Sequence, residues 1–234
     1  MFQFKQFSVD QSGCAMKINT DGVLLGAFAA ADAPANILDI GTGTGVIALM
    51  LAQRYNAAKI DAVEIDEAAA QTSKKNFGQS PFADRLTIYP LSFENYFDQF
   101  PERKYDLIVS NPPFYINSLK SPGERKTLAK HANMEFFERL IKRVSLHLKP
   151  NGCCWLILPV TLLNIINSLA NEYSVYPQQI INIRSFEQST IHRVIICFGS
   201  KNDSMKTTSL NIYEAEGVYS DEYKLLLKPY FTIF

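Results

Sequence analysis

The chain has 234 residues, 47% of them hydrophobic, which suits one α/β domain with a sizeable core. Its 23 basic and 23 acidic side chains cancel, so nucleic acid is not indicated by global charge and any such contact must come from a local patch. No apolar run is long enough to span a membrane, the start from Met1 to Gln6 is no secretory signal, and Cys14, Cys153, Cys154 and Cys197 have neither zinc spacing nor a good disulfide neighbour, which reads as reduced cysteines of a cytoplasmic protein.

Phe2, Phe4, Phe7 and Val9 precede a turn at Asp10-Gln11-Ser12-Gly13, and Cys14 to Ile18 is expected to return as a second strand, giving a hairpin or flap. Asn19 or Thr20 can cap a helix from Asp21 to Ala31, with Val23, Leu24, Ala27, Phe28 and Ala31 on one face. Asn36 to Ile40 reads as a strand that runs into Gly41-Thr42-Gly43-Thr44-Gly45, with a helix opening at Val46 and reaching Gln53 or Arg54. Alternate glycines permit positive φ and close approach of a ligand to the backbone. The pattern is not the dinucleotide fingerprint, because Val46 stands where its last glycine belongs, and no Lys-Ser/Thr pair marks a phosphate loop. Asp39, just before the first glycine, suits a ligand carrying amine or sulfonium charge. Taken alone, the run is equally an ordinary tight strand-to-helix turn.

Lys59 to Glu64 is a second strand ending in an acid, where a nucleotide-type fold accepts hydrogen bonds from both ribose hydroxyls. A helix from Glu67 to Phe77 stops at Gly78, Leu86 to Tyr89 is a third strand, and residues 92–98 form a short helix. Tyr105 to Ser110 is a buried parallel strand leading into Asn111-Pro112-Pro113-Phe114. Two prolines end the hydrogen-bonded ladder and fix an extended backbone whose carbonyls point outward. With the Asn111 amide beside them and the Phe114 ring beyond, they make a receptor for a planar base carrying an exocyclic NH2. Pro-Pro alone is also a plain strand terminator.

These three features, in this order, resemble the class I S-adenosylmethionine-dependent methyltransferases. The resemblance implies a Rossmann-like α/β fold, a seven-stranded mostly parallel sheet with helices on both faces, here with an N-terminal hairpin and helix. It implies S-adenosylmethionine as cofactor, bound by Asp39, Gly41, Gly43, Gly45, Glu64 and Asn111, with Thr20 over its methionine end and Ser92 and Phe93 at its adenine. Many members carry Asp where this chain has Ser92.

Lys120, Arg125, Lys126 and Lys130, against Glu124, leave three excess positive charges directly after the base receptor, either a solvated loop or an RNA-binding arm. His131 reads as a helix-start or packing residue. A helix over 134–148 carries the stripe Phe137, Leu140, Ile141, Val144 and Leu148, with Glu138 able to pair with Lys142, and Pro150-Asn151-Gly152 ends it. Cys153 to Leu158 is a fifth strand and Leu162 to Tyr173 a helix. Gln179 to Ser185 and His192 to Gly199 are a closing hairpin. Lys201 to Thr208 reads as a polar break, Ser209 to Tyr213 as a late strand, Tyr219 to Leu227 as a helix, and the aromatic end, through Tyr230, Phe231 and Phe234, as packed on the core.

The segment Cys14 to Ala27, the Asn111 to Phe114 motif, the Lys130-His131 helix entry and the aromatic end together resemble the bacterial tRNA1(Val) adenine-N6 methyltransferases over essentially the whole chain. That resemblance implies methylation of adenosine 37 beside the anticodon of a tRNA. Asn111 and Pro112 would be catalytic, Pro113, Phe114, Lys120, Arg125, Lys126 and Lys130 would contact the anticodon loop, and no metal would be needed. The expected organisation is one methyltransferase domain over 1–234, with a flap and helix at 1–32, a core at 36–200 and an extension at 201–234, acting as a monomer. Guanine-N2 methylation of rRNA, glutamine-N5 methylation of protein and a non-catalytic RNA-binding module are the alternatives.

Overall fold

The computed structural model describes residues 1–113 and 124–234, with the backbone alone over 124–133. The chain opens with β1 (Phe2–Gln3) and β2 (Ser8–Val9), an antiparallel pair, and then α1 (Thr20–Phe28). There follow β3 (Asn36–Ile40), α2 (Val46–Arg54), β4 (Lys59–Val63), α3 (Glu67–Gly78), β5 (Leu86–Tyr89), α4 (Phe93–Gln99), β6 (Tyr105–Ser110) and α5 (Glu124–His147). The remainder is β7 (Leu148–Pro159), α6 (Leu163–Glu172), β8 (Tyr176–Arg184), β9 (Arg193–Gly199), β10 (Lys206–Asn211), β11 (Tyr213–Ala215), β12 (Val218–Tyr219) and α7 (Asp221–Leu227).

One sheet has the order β10-β8-β9-β7-β6-β3-β4-β5. Within it only β9 runs against its neighbours. The largely buried strands β9, β7, β6 and β3 lie at its centre, because strands covered on both faces read as near-continuous apolar runs. On one face the hairpin, α1, α2 and α7 share a core. On the other face α4, α5 and α6 share a second. The doubly wound parallel sheet is therefore as the sequence implies, with one strand more. β10 spans the end of the expected polar break, 206–208, and the start of the late strand expected over Ser209 to Tyr213. It pairs along β8 as an edge strand and buries only Leu210 fully, so its first half carries no apolar signal while its backbone makes a strand.

Three further local expectations are corrected. The hairpin returns at β2 rather than at Cys14 to Ile18, with Phe4 donating its amide hydrogen to the Phe7 carbonyl at 2.9 Å across the turn. The polar stretch before residue 134 is helical from Glu124, so α5 opens ten residues before the expected start at 134, and residues 124–130 are helix rather than loop. α5 also ends at His147, and Pro150-Asn151-Gly152 belongs to an irregular start of β7. Glu138 accepts from the Tyr173 hydroxyl at 3.0 Å.

α1 is anchored by its surroundings rather than by its own pattern, since Gly22 to Ala27 are all buried. A Cβ on Gly26 would lie 2.8 Å from the Met50 sulfur, so the glycine lets α1 seat directly on α2. Arg54, at the end of α2, donates to the carbonyls of Gly26, Ala27 and Ala29 at 3.1, 2.5 and 2.7 Å and to the Tyr230 hydroxyl at 2.8 Å. It thereby satisfies carbonyls that the end of a helix leaves unpaired. As expected, the aromatic end packs inward: Tyr230 is buried, and Phe231 and Phe234 lie against Phe2, Phe4, Tyr219 and Tyr223.

Candidate active site

The C-terminal ends of β5, β4, β3 and β6 form one rim, with Ser92, Glu64, the glycine turn and Asn111 in that order along it. Gly41, Gly43 and Gly45 all take positive φ, at +73°, +56° and +83°. Their roles differ. A Cβ on Gly41 or Gly43 would meet nothing within 4 Å, so these two leave an open cradle. A Cβ on Gly45 would lie 2.5 Å from the Phe77 ring, so this one admits α3.

The turn is clamped from several sides. Gly41 and Thr42 donate to the Val63 carbonyl at 2.8 and 3.1 Å, and Gly43 donates to Glu64 Oε2 at 2.8 Å. From α3, the Ser73 hydroxyl donates to the Gly43 carbonyl and Asn76 Nδ2 to the Thr44 carbonyl. Neither Ser73 nor Asn76 stands out in the sequence. The available signal is their position: they share the buried face of α3 with Ala69, Ala70 and Phe77, and a polar group there needs a partner.

Asp39 is fully buried and accepts from the Thr42 hydroxyl at 2.7 Å. Its Oδ1 has no hydrogen-bond partner of standard geometry among the described residues. Burial pushes this carboxyl up to about 7, opposed by the Thr42 hydroxyl and the Ala48 amide and supported by the Glu64 charge. The folded value lies above the unfolded one, so the ligand-free fold binds the extra proton. The Asp39 contribution to stability is then full below the unfolded value and is lost as pH rises toward about 7. A cationic ligand shifts the balance the other way, favouring the carboxylate. Affinity for an amine- or sulfonium-bearing ligand is therefore expected to rise between about pH 5.5 and 7.5, and Asp39→Asn to abolish that rise. Calorimetric titrations across this range check it; an identical slope in the variant overturns the assignment.

Glu64 is nearly buried, with Oε2 taken by Gly43 and Oε1 accepting from the Asp66 amide at 2.9 Å. A carboxylate offers about four acceptor positions, so both oxygens can still receive hydroxyls. Ile65, directly beyond, is 75% exposed and presents an apolar surface at the rim that no sequence motif marks. Ser92 caps α4, accepting from the Asn95 amide at 3.1 Å, and Phe93 is buried edge-on to Phe136. The Ser92 hydroxyl keeps its own hydrogen to donate, and Ser92 is half-buried at the end of β5.

At the other end of the rim, the Ser110 hydroxyl donates to the Ile40 carbonyl at 2.8 Å and locks β6 to β3. Asn111 follows, half-buried, then buried Pro112 and half-buried Pro113. α1 lies directly on the motif: a Cβ on Gly22 would stand 3.8 Å from Asn111 Nδ2. Asn19 is the cap of α1, accepting from the Gly22 amide at 2.9 Å, and Thr20 is its exposed first residue. Phe114 and Lys120 lie outside the described residues, and Arg125, Lys126 and Lys130 fall on the backbone-only turns of α5.

The rim fits a nucleoside: it has an open glycine cradle and, in Glu64, a carboxylate with acceptor positions left for hydroxyls, while Asp39 lies fully buried beneath the turn. Among the described residues no group of three or more His, Cys, Asp or Glu side chains is arranged to hold a metal, and no helix is long and apolar enough to cross a membrane.

Residues 18–173 match the family described as Methyltransferase small domain. The chain is 49% identical to the tRNA1(Val) (adenine(37)-N6)-methyltransferase of Pedobacter heparinus, covering 100% of this chain and 98% of that one. It is 42% identical to the protein of the same name from Flavobacterium psychrophilum, over 99% of each. In fold it is similar to a predicted O-methyltransferase from Agrobacterium tumefaciens, with a TM-score of 0.70 over 90% of this chain and 96% of that one at 16% identity.

Proposed function

This chain belongs to the Methyltransferase small domain family and, within it, to the tRNA1(Val) (adenine(37)-N6)-methyltransferases, and from that premise we propose that it methylates the N6 amine of adenosine 37 in a tRNA at the rim formed by Glu64, the glycine turn and Asn111. The observation that carries the reading is the juxtaposition of Asn111 with the open glycine cradle on neighbouring strands, about 5 Å apart across the ladder.

S-adenosylmethionine, the methyl donor, supplies an electrophilic sulfonium methyl when bound at this rim. Asp39 and Glu64 would hold its positive arm and its ribose, and Gly41 and Gly43 would let it approach the backbone closely. Ile65 would cover one face of its base, and Thr20 would lie over the methionine end. The amino group of adenine is a poor nucleophile because its lone pair is delocalised into the ring. The Asn111 side-chain oxygen and the Pro112 carbonyl accept its two hydrogens, draw the nitrogen toward tetrahedral geometry and stabilise the positive charge that grows as the bond forms. Pro113 and Phe114 receive the base, a stacking contribution of about 1–3 kcal/mol. Holding amine and methyl in line supplies much of the remaining acceleration. The anticodon loop is largely unpaired, so presenting its base costs less than from a duplex. The enzyme acts in the cytoplasm as a monomer formed by one methyltransferase domain.

The direct test is transfer of labelled methyl to total tRNA, rRNA and protein, followed by nucleoside digestion. Label in N6-methyladenosine from tRNA is the expected result; label only in guanosine or in protein glutamine replaces it.

Lys120, Arg125, Lys126 and Lys130 form the electrostatic approach for the tRNA backbone, part of it carried on the opening turns of α5. Changing all four to alanine is expected to weaken tRNA binding and to flatten its salt dependence by roughly 0.7 in log-log slope for each phosphate no longer neutralised. Cofactor affinity should stay near wild type. Binding titrations at several salt concentrations decide it: unchanged affinity and slope would move the RNA path elsewhere, first toward Lys5 and Lys17.

A further inference from the structure

α1 reaches the catalytic rim with its first turn, and that turn is tied down by a contact the sequence does not advertise. Asp21 Oδ2 accepts from Arg193 Nε at 2.7 Å, joining positions 172 residues apart. Both side chains are largely shielded, at 21% and 31% exposure. Arg193 opens β9 and pairs with Pro159, the last residue of β7. Since Ser110 pairs with Leu156 on β7, Pro159 stands three residues further on, level with Pro113 beyond the end of β6. Arg193 therefore sits at the height of the Asn111 to Pro113 motif, two strand spacings away, or about 10 Å. The next residue of α1, Gly22, is the one whose backbone faces the Asn111 amide.

We propose that the Asp21–Arg193 ion pair is a latch that sets the first turn of α1 against Asn111, making both positioning residues for methyl transfer. The proposal rests on the methyl-transfer reading above. The opposite end of α1 is fixed by Arg54 and its middle is buried against α2, so the first turn is the part of the helix that the ion pair has left to hold. Arg193 also donates to the His192 carbonyl at 3.1 Å, which steadies its own end of the bridge. A shift of about 1 Å in the groups that orient a reacting centre can cost 100-fold in rate, so a device acting only on position is expected to act on the chemical step.

The experiment measures single-turnover methyl transfer to tRNA, with both substrates saturating, for Asp21→Asn, Arg193→Gln and the double variant, alongside Asp21→Glu and Arg193→Lys. The expected loss is about 10- to 100-fold for each neutralising variant, with the double variant no slower than the worse single, and partial recovery in the two charge-retaining variants. Amide hydrogen exchange at Val23 to Leu25 should accelerate in the neutralised forms, while the melting temperature moves too little to account for the rate loss. Normal rates, strictly additive losses, or rates that fall only in proportion to the folded fraction would each overturn the latch. The wild-type control separates the two readings: if it yields no N6-methyladenosine, the proposed activity fails, whereas normal wild-type activity with unaffected variants removes the latch alone.

Discussion

Asn111→Ala is expected to lower single-turnover methyl transfer by about 100-fold or more, the scale of losing one hydrogen-bond partner aimed at developing charge. The structure sharpens the reason. Asn111 stands at the end of a strand locked to β3 through Ser110, and α1 is seated on its amide, so its position is set before substrate arrives. Alanine removes the acceptor and leaves the surrounding elements in place. Cofactor affinity should change less than the rate. Asn111→Asp keeps an acceptor oxygen and loses the amide donors, so its rate should fall between wild type and alanine. Rapid-quench measurements with saturating cofactor decide the matter: a near-normal rate for Asn111→Ala would leave the Pro112 carbonyl as sufficient by itself.

Glu64→Ala is expected to weaken S-adenosylmethionine binding by roughly 1.5–3 kcal/mol, the range for hydrogen bonds to a charged group. It should also do something that a purely ligand-facing acid would not. Both carboxylate oxygens already hold backbone amides, of Gly43 and of Asp66, so alanine leaves two donors without partners and loosens the glycine turn and the start of α3. The ligand-free protein should therefore melt earlier. Glu64→Gln, which keeps one acceptor oxygen, should recover part of the stability but little of the affinity. Calorimetric titration together with thermal melts in the absence of ligand tests both halves; unchanged affinity with an intact fold would remove Glu64 from the site.

The parts of the site legible in the sequence are those where one residue type answers one local need. Glycines at positive φ, an acid at a strand end and a double proline after a buried strand each announce themselves within a few residues. The rest depends on contacts that only the fold creates. Ser73 and Asn76 brace the glycine turn from a helix that reads simply as amphipathic. Ser92, expected at the cofactor, is also the cap of α4, a contact set by where the helix begins. Arg193 and Asp21 meet through two strand crossings and a helix. In the fold at large the central strands were clear because burial makes them apolar, whereas only the second half of β10 was legible, because an edge strand needs only backbone partners and one apolar residue. The opening turns of α5 were hidden for a related reason: a helix can run on through charged and small residues without an apolar stripe to mark it.

Arg54 couples regions that are far apart in the chain. One guanidinium closes the carbonyl end of α1 and grips Tyr230, while Lys5 donates to the Lys228 and Phe234 carbonyls at 2.6 and 2.8 Å and Phe4 bridges to Phe231. The hairpin, the carbonyl end of α1 and the aromatic end are thus expected to behave as one cooperative unit, since each covers carbonyls or rings of the others. Such units open together, at a common free energy, rather than residue by residue. The amides of α1 should therefore share their opening behaviour with those of residues 226–231, some two hundred positions away, and a lesion in the aromatic end should be felt first at the turn that rests on Asn111.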